Sequence, residues 1–357
     1  MSAFIVLLSL LPLSCVCAST GTSAVNETGS TQNTAIKTAD AQLICNLSAA
    51  LKHTTNVSAA FMERAFDMES AALEKMKLTE KSLRFAIGEV IKASARIRRS
   101  DAKLNTFDDE IKKIESSVNS AHVELKALFE KVKHIVLRAI ALSARAGVIS
   151  GMIDDFIAVF ESANSHKNYR CITKSGDSLV NDSNPAAKLE KDLNGCTWDH
   201  YADDGVKNLS RELIEQVAQL GGGVLVQGIE NKDFTKGGAN CPFLISDFVR
   251  EKGTPLLWGG LWKALQKDKK TQIEWKDRAE NLTDIVKELK DLEGEFTHRK
   301  DAAPSDENRS KTLQQLVSAF DAALTVTVKD GKVVGDAQRL AMEIMQEAQA
   351  VERENQK

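Results

Sequence analysis

At 357 residues the chain is long enough for two ordinary domains. Its net charge of −3 excludes binding to nucleic acid or an anionic membrane driven by charge alone. Five prolines, two tyrosines and an aromatic content of 5% leave an aliphatic, alanine-rich core, which suits helices packed on helices.

The first segment reads as a secretion signal. Phe4 to Pro12 is an apolar run of signal-peptide length, too short for a permanent membrane span. Val16-Cys17-Ala18 supplies small residues for cleavage after Ala18, so residues 1–18 are assigned to the signal. Residues 19–38 are rich in Ser, Thr, Asn and Gly and are expected to form a disordered leader, because they bury too little apolar surface to offset chain entropy. Order is expected from about Asp40.

Two long helices follow. Leu47, Leu51, Phe61, Ala65, Met68, Ala72, Met76, Thr79, Leu83, Ile87, Val90, Ser94 and Ile97 mark the seam of the first. The segment Arg96 to Asp101 breaks the register and offers Ser100 and Asp101 as caps. The second seam steps by three and four from Leu104 through Ile114, Leu125, Ile135, Leu142 and Ile153 to Phe160 and Ala163. Two such helices joined by a few residues must be antiparallel neighbours, so residues 39–168 read as a long hairpin. The small residues from Ala139 to Gly151 are expected to admit a subunit partner at close range.

The character changes over residues 169–270, where many glycines mark a loop-rich head with a short helix near 208–220 and a strand at 224–227. Residues 271–357 return to helix. A third helix carries Trp275, Ala279, Leu282, Val286, Leu289 and Phe296. Shorter helices lie at 313–324 and 336–354, with a hairpin turning at Asp330-Gly331 between them. The fold class is therefore mainly α. Residues 39–357 form one elongated domain, a long antiparallel two-helix hairpin within a helical bundle, with a loop-rich, disulfide-stapled insertion and minor β. No apolar tail closes the chain, so no lipid anchor of its own and no direct membrane span is expected.

Cys45, Cys171, Cys196 and Cys241 remain after signal removal and suit two disulfides, with three possible pairings. Asn-x-Ser/Thr triplets at Asn26, Asn46, Asn56, Asn181, Asn208, Asn281 and Asn308 favour a glycan-bearing extracellular surface. Little else carries chemistry. There is no nucleophile-elbow, zinc-helix or dinucleotide fingerprint, so neither an enzyme nor a cofactor nor a metal site is expected. Arg96, Arg98 and Arg99 read as a solvated turn, and His122 and His134 as ordinary residues flanking a seam. Asp108-Asp109-Glu110, Asp154-Asp155 and Asp203-Asp204 read as solvated acidic faces, and Trp198-Asp-His-Tyr201 as packing around a disulfide.

Several short motifs stand in a telling order: Cys45-Asn-Leu-Ser48, the small-residue run into Asp154-Asp-Phe-Ile-Ala-Val-Phe160, Cys171-Ile172, Asn194-Gly-Cys196, Asn240-Cys-Pro-Phe-Leu244 and Thr254-Pro-Leu-Leu-Trp-Gly-Gly260. Across Leu43 to Gly260 the chain resembles the trypanosome transferrin receptor family, itself similar to the N-terminal domain of variant surface glycoproteins. The resemblance implies a receptor subunit that captures host transferrin for iron uptake by endocytosis, paired as a heterodimer with a lipid-anchored homologous subunit at the cell surface in the flagellar pocket. This chain is similar to the unanchored subunit, and it lacks the extra cysteines of some members. The relatives imply pairing of Cys45 with Cys196 and Cys171 with Cys241. The other reading of the same fold is a structural surface or secreted glycoprotein, a coat component or decoy that binds no transferrin.

Overall fold

The computed structural model describes residues 35–96, 102–163, 168–197, 256–258, 262–267, 270–275, 279–297, 311–327 and 333–354. Two helices dominate. Helix α1 spans Thr38–Arg96 and α2 spans Ala102–Ser162, 59 and 61 residues long. Each is roughly 90 Å at 1.5 Å per residue.

The three-four periodicity explains why they pair. From Phe107 through Ile111, Ile114, Val118, Ala121, Leu125 and Leu128 to Phe160, the α2 seam is at most 8% exposed at every step. On α1 the matching row is Leu47, Leu51, Phe61, Ala65, Ala72, Met76, Leu83 and Val90. Alanines at 65, 72, 121, 139 and 146 let the two backbones approach, and methionine and leucine fill the gaps between them.

The register of α1 differs from expectation near its end. Ala86 and Ala93 are fully buried there, whereas Ser94 is exposed and donates to the Ile91 carbonyl. An alanine presents no polar group to the seam, while a serine on the outer face satisfies its hydroxyl locally. The chain is also ordered earlier than Asp40. Ala35 and Ile36 are fully buried, and strand β1 (Ile36–Lys37) pairs in parallel with β2 (Ile172–Thr173). One isoleucine and one alanine supply the apolar anchor that the polar residues before them lack.

The C-terminal third wraps the hairpin. Helix α4 (Ala279–Glu295) buries Leu282, Ile285, Leu289 and Leu292, and Phe296 just beyond it stacks on Phe61 at 5.6 Å between ring centroids. Arg64 covers the same ring at 4.8 Å. Helix α5 (Leu313–Ala323) opens with a capping box, in which Thr312 and Gln315 exchange side-chain and backbone hydrogen bonds. Strands β6 (Thr325–Thr327) and β7 (Val333–Asp336) then turn the chain into α6 (Ala337–Glu354), which lies along α1.

Glu295 is the electrostatic centre of this arrangement. Its carboxylate takes Lys131 Nζ at 2.8 Å, Arg138 Nη1 at 3.5 Å and the Leu313 backbone N–H at 3.3 Å. Arg138 also reaches Glu288 at 2.7 Å, so α2, α4 and the start of α5 share one network.

The described part of the head is small. It contains the β1–β2 pair, the one-turn helix α3 (Leu189–Asp192), a 3-10 turn at Asn194–Cys196, and an antiparallel sheet of β3 (Leu256–Trp258), β4 (Trp262–Lys267) and β5 (Lys270–Trp275). That sheet corrects two expectations. The loop-rich head over residues 169–270 contains strands at Leu256–Trp258 and Trp262–Lys267, and Trp275, expected at the head of a helix, instead closes β5, opposite Trp262. Alternation in Lys-Thr-Gln-Ile-Glu-Trp has the period of a strand, and helical spacing starts only at Ala279. The signal segment, the hairpin tip at residues 97–101, the 208–220 helix, the 224–227 strand and the Trp198–Tyr201 cluster lie outside the described residues.

Candidate functional site

Near the start of α1 and the end of α2, the turn at residues 195–197 is fastened to the long helices. Cys45 on α1 is disulfide-bonded to Cys196, closing a separation of 151 residues with a Cα–Cα distance of 4.8 Å. The turn can come this close because residue 195 is glycine. A Cβ there would stand 2.4 Å from the Cys45 carbonyl oxygen.

About two helical turns along α1 from that bond, Lys52 is fully buried. Its ammonium lies 2.6 Å from Asp154 Oδ2 on α2, 2.9 Å from the Thr197 carbonyl and 3.2 Å from the Gly195 carbonyl. All three N–H bonds are thereby used, one toward α2 and two toward the turn. Ser48, one turn earlier on α1, donates to Asp154 Oδ1 at 2.5 Å and lies 3.3 Å from the Ser150 carbonyl. Burial pushes the Asp154 carboxyl above its ordinary value, against the Lys52 and Ser48 hydrogen bonds that favour the charged form, and the neighbouring Asp155 pushes it the same way as burial. Beside the clamp opens a cleft of about 340 Å³ bordered by Asp155, Glu190 and Thr197.

The contacts here fasten the turn to both helices: Ser48 donates to the Asp154 carboxylate, and the sulfurs of Cys45 and Cys196 are bonded to each other. Among the described residues, no group of three or more His, Cys, Asp or Glu side chains is placed to hold a metal ion.

The expected site residues are distributed unevenly. Cys171 is disulfide-bonded, and Cys241 lies outside the described residues. Asn46 and Asn181 are exposed and Asn56 is half-buried. Asn26, Asn208 and Asn308 lie outside the described residues, and Asn281 falls on α4 with its side chain outside them. His122 Nε2 bridges to Glu80 on α1 at 2.8 Å, while His134 is exposed. Asp154 is a correction, because it was expected on a solvated face and is 5% exposed. Its neighbour Asp155 does face solvent. Lys52 escaped the sequence reading and Ser48 entered it only as the end of the Cys45-Asn-Leu-Ser48 motif, although a lysine four residues after a serine on a face otherwise buried is a detectable signal.

The small residues of α2 divide as well. Ala139 and Ala146 are fully buried inside the hairpin, so they are not available to a subunit partner. Gly147 and Gly151 face open space, with no atom within 4 Å of a Cβ placed on either. Leu137, Ile140 and Val148 on α2 are 50–57% exposed. By length and composition alone α2 is apolar enough to cross a membrane, yet its seam is packed within this bundle.

No protein-family model matches the chain, and no curated protein sequence matches it. Among solved structures it is similar to the haptoglobin-hemoglobin receptor of Trypanosoma congolense, with 12% identity and a TM-score of 0.35, over 90% of this chain and 99% of that one. Likeness at that level carries no functional argument. What the fold itself defines is a mainly helical protein, two long helices in a bundle with minor strands and a disulfide-fastened head.

Proposed function

We propose that this chain is a cell-surface receptor subunit that binds host transferrin for iron uptake by endocytosis, as part of a heterodimer with a lipid-anchored relative. The motif order from Cys45 to Gly260 supports the family reading. The observation that carries the receptor reading is the clamped head. Three fastenings hold the Gly195–Thr197 turn on the end of a rod roughly 90 Å long. A surface held this firmly loses little entropy when a large partner docks. The exposed Leu137, Ile140 and Val148 beside Gly147 and Gly151 supply an apolar face for the anchored subunit. Iron would arrive inside the ligand, so the chain needs no metal site of its own.

The test is co-expression with candidate anchored relatives, followed by capture on immobilised transferrin at neutral pH and at about pH 5.5. A receptor complex is retained on the transferrin resin at one pH or both. A stable heterodimer that ignores transferrin at both would overturn the receptor reading and favour the coat or decoy role.

A further inference from the structure

The glycosylation triplets are equivalent as sequence but not as structure. Asn181 sits in a tight exposed turn, where its backbone N–H donates to the Asn184 carbonyl at 3.2 Å and its carbonyl accepts from the Asn184 N–H at 3.1 Å. Its side-chain Oδ1 accepts from the Ser183 N–H at 3.0 Å, the Asn184 N–H at 2.9 Å and the Ser183 hydroxyl at 2.7 Å. Two of those donors are backbone N–H groups, so the atom facing them must be the oxygen. The carboxamide is planar, and Nδ2 therefore points away from the turn. The turn is held from beneath by the buried Asn184, whose Nδ2 donates to the carbonyls of Asp177 at 3.0 Å and Leu179 at 2.6 Å.

The helical triplets contrast with this. Ser48, the hydroxyl residue after Asn46, is fully buried and committed to Asp154. Ser58, the hydroxyl residue after Asn56, is fully buried and donates to the Thr54 carbonyl at 2.8 Å. Folding withdraws both hydroxyls from any enzyme, whereas Ser183 stays exposed beside its asparagine.

We infer that Asn181 is a constitutive N-glycan acceptor of this chain, while Asn46 and Asn56 are acceptors only before the long helices pair. The ligand class is a lipid-pyrophosphate-linked oligosaccharide. Asn181 Nδ2 attacks C1 of its first sugar, the N–C1 bond forms, the C1–O bond to pyrophosphate breaks, Nδ2 gives up one proton, and the lipid pyrophosphate leaves. A glycan there covers the loop layer next to β2, so a large ligand must approach the head from its other sides. The inference rests on the secretory route of the proposed function but not on transferrin.

The test secretes the full chain behind a heterologous signal from a glycosylating host, which keeps its outcome separate from any transferrin result. Enzymatic deglycosylation in heavy-oxygen water followed by peptide mapping reads occupancy at each triplet. Near-complete occupancy at Asn181 is expected, several-fold above Asn46 and Asn56, lost in Ser183→Ala and kept in Ser183→Thr. Reductant added during synthesis, which delays the Cys45–Cys196 bond, should raise occupancy at Asn46 and Asn56 and leave Asn181 unchanged. An unmodified Asn181 in the secreted chain overturns the inference, as does an Asn46 occupancy equal to it without reductant.

Discussion

Lys52 and Asp154 form a buried ion pair at 2.6 Å, and the lysine spends its remaining donors on the two carbonyls that flank Cys196. The pair therefore acts on the same turn as the disulfide does. Losing one fastening leaves the other in place.

Removing only the cation should be costly. Lys52→Met leaves Asp154 buried without its counter-charge, and a loss of about 3–5 kcal/mol in unfolding free energy is expected. Lys52→Met with Asp154→Leu should recover much of it, because no uncompensated charge remains. Urea denaturation of the three proteins checks this; equal losses in the single and double variants would refute it.

Acid should not release the clamp. The Asp154 carboxyl is raised above 3.8 by burial, so the folded state takes up a proton more readily than the unfolded chain. Its contribution is then fully present below the unfolded value and is lost as pH rises through the folded one. Asp154→Asn should flatten the pH dependence of stability in the window just above 3.8. Melting temperature against pH, for both proteins, reads the difference.

Glu110 carries the same sign for a partly different reason. Burial raises it first, then Glu347 and Glu343 on α6, with Lys113 opposing. Glu110→Gln should raise the melting temperature at neutral pH, and the gain should vanish once the carboxylate of the parent protein is protonated.

Gly195→Ala places a methyl group 2.4 Å from the Cys45 carbonyl oxygen, too close for either backbone to stay where it is. A loss of about 1–3 kcal/mol is expected, the range for overpacked sites. Non-reducing peptide mapping should also show less of the Cys45–Cys196 peptide.

Two small residues on α2 separate packing from partnership. Ala146→Leu overfills the hairpin seam and should lower the stability of the isolated chain by about 1–3 kcal/mol. Gly151→Leu meets open space and should leave it unchanged or raise it by up to about 1 kcal/mol, the helix penalty of glycine. Sedimentation of the proposed heterodimer then reads the partner face. Weakened association in Gly151→Leu at unchanged monomer stability is the expected result.

Much of the fold was legible because long helices advertise themselves. The seam from Phe107 to Phe160 repeats without a slip, and every one of those positions is buried. The head was less legible. Strand β5 alternates Thr271, Ile273 and Trp275 with polar residues, but Trp275 also stands four residues before Ala279, on the spacing of the helix that follows. At the clamp, the cysteines were visible as residue types, but Asp154 looked like half of an ordinary acidic pair. Nothing local distinguishes Asp154 from Asp155. The difference is which side of α2 meets Lys52.

The amino-acid sequence by itself determined the rod, because periodicity is a property of neighbours along one chain and burial of that stripe follows directly from it. It also supplied a short bridgeable turn, with glycine next to cysteine. Only the tertiary structure decided what that turn meets. Residues 48, 52, 154 and 195–197 are brought together by the antiparallel register of two helices and a return of the chain from the head. A buried charge is tolerated at position 52 only because two segments distant in sequence supply its three partners at once, and no local pattern records that.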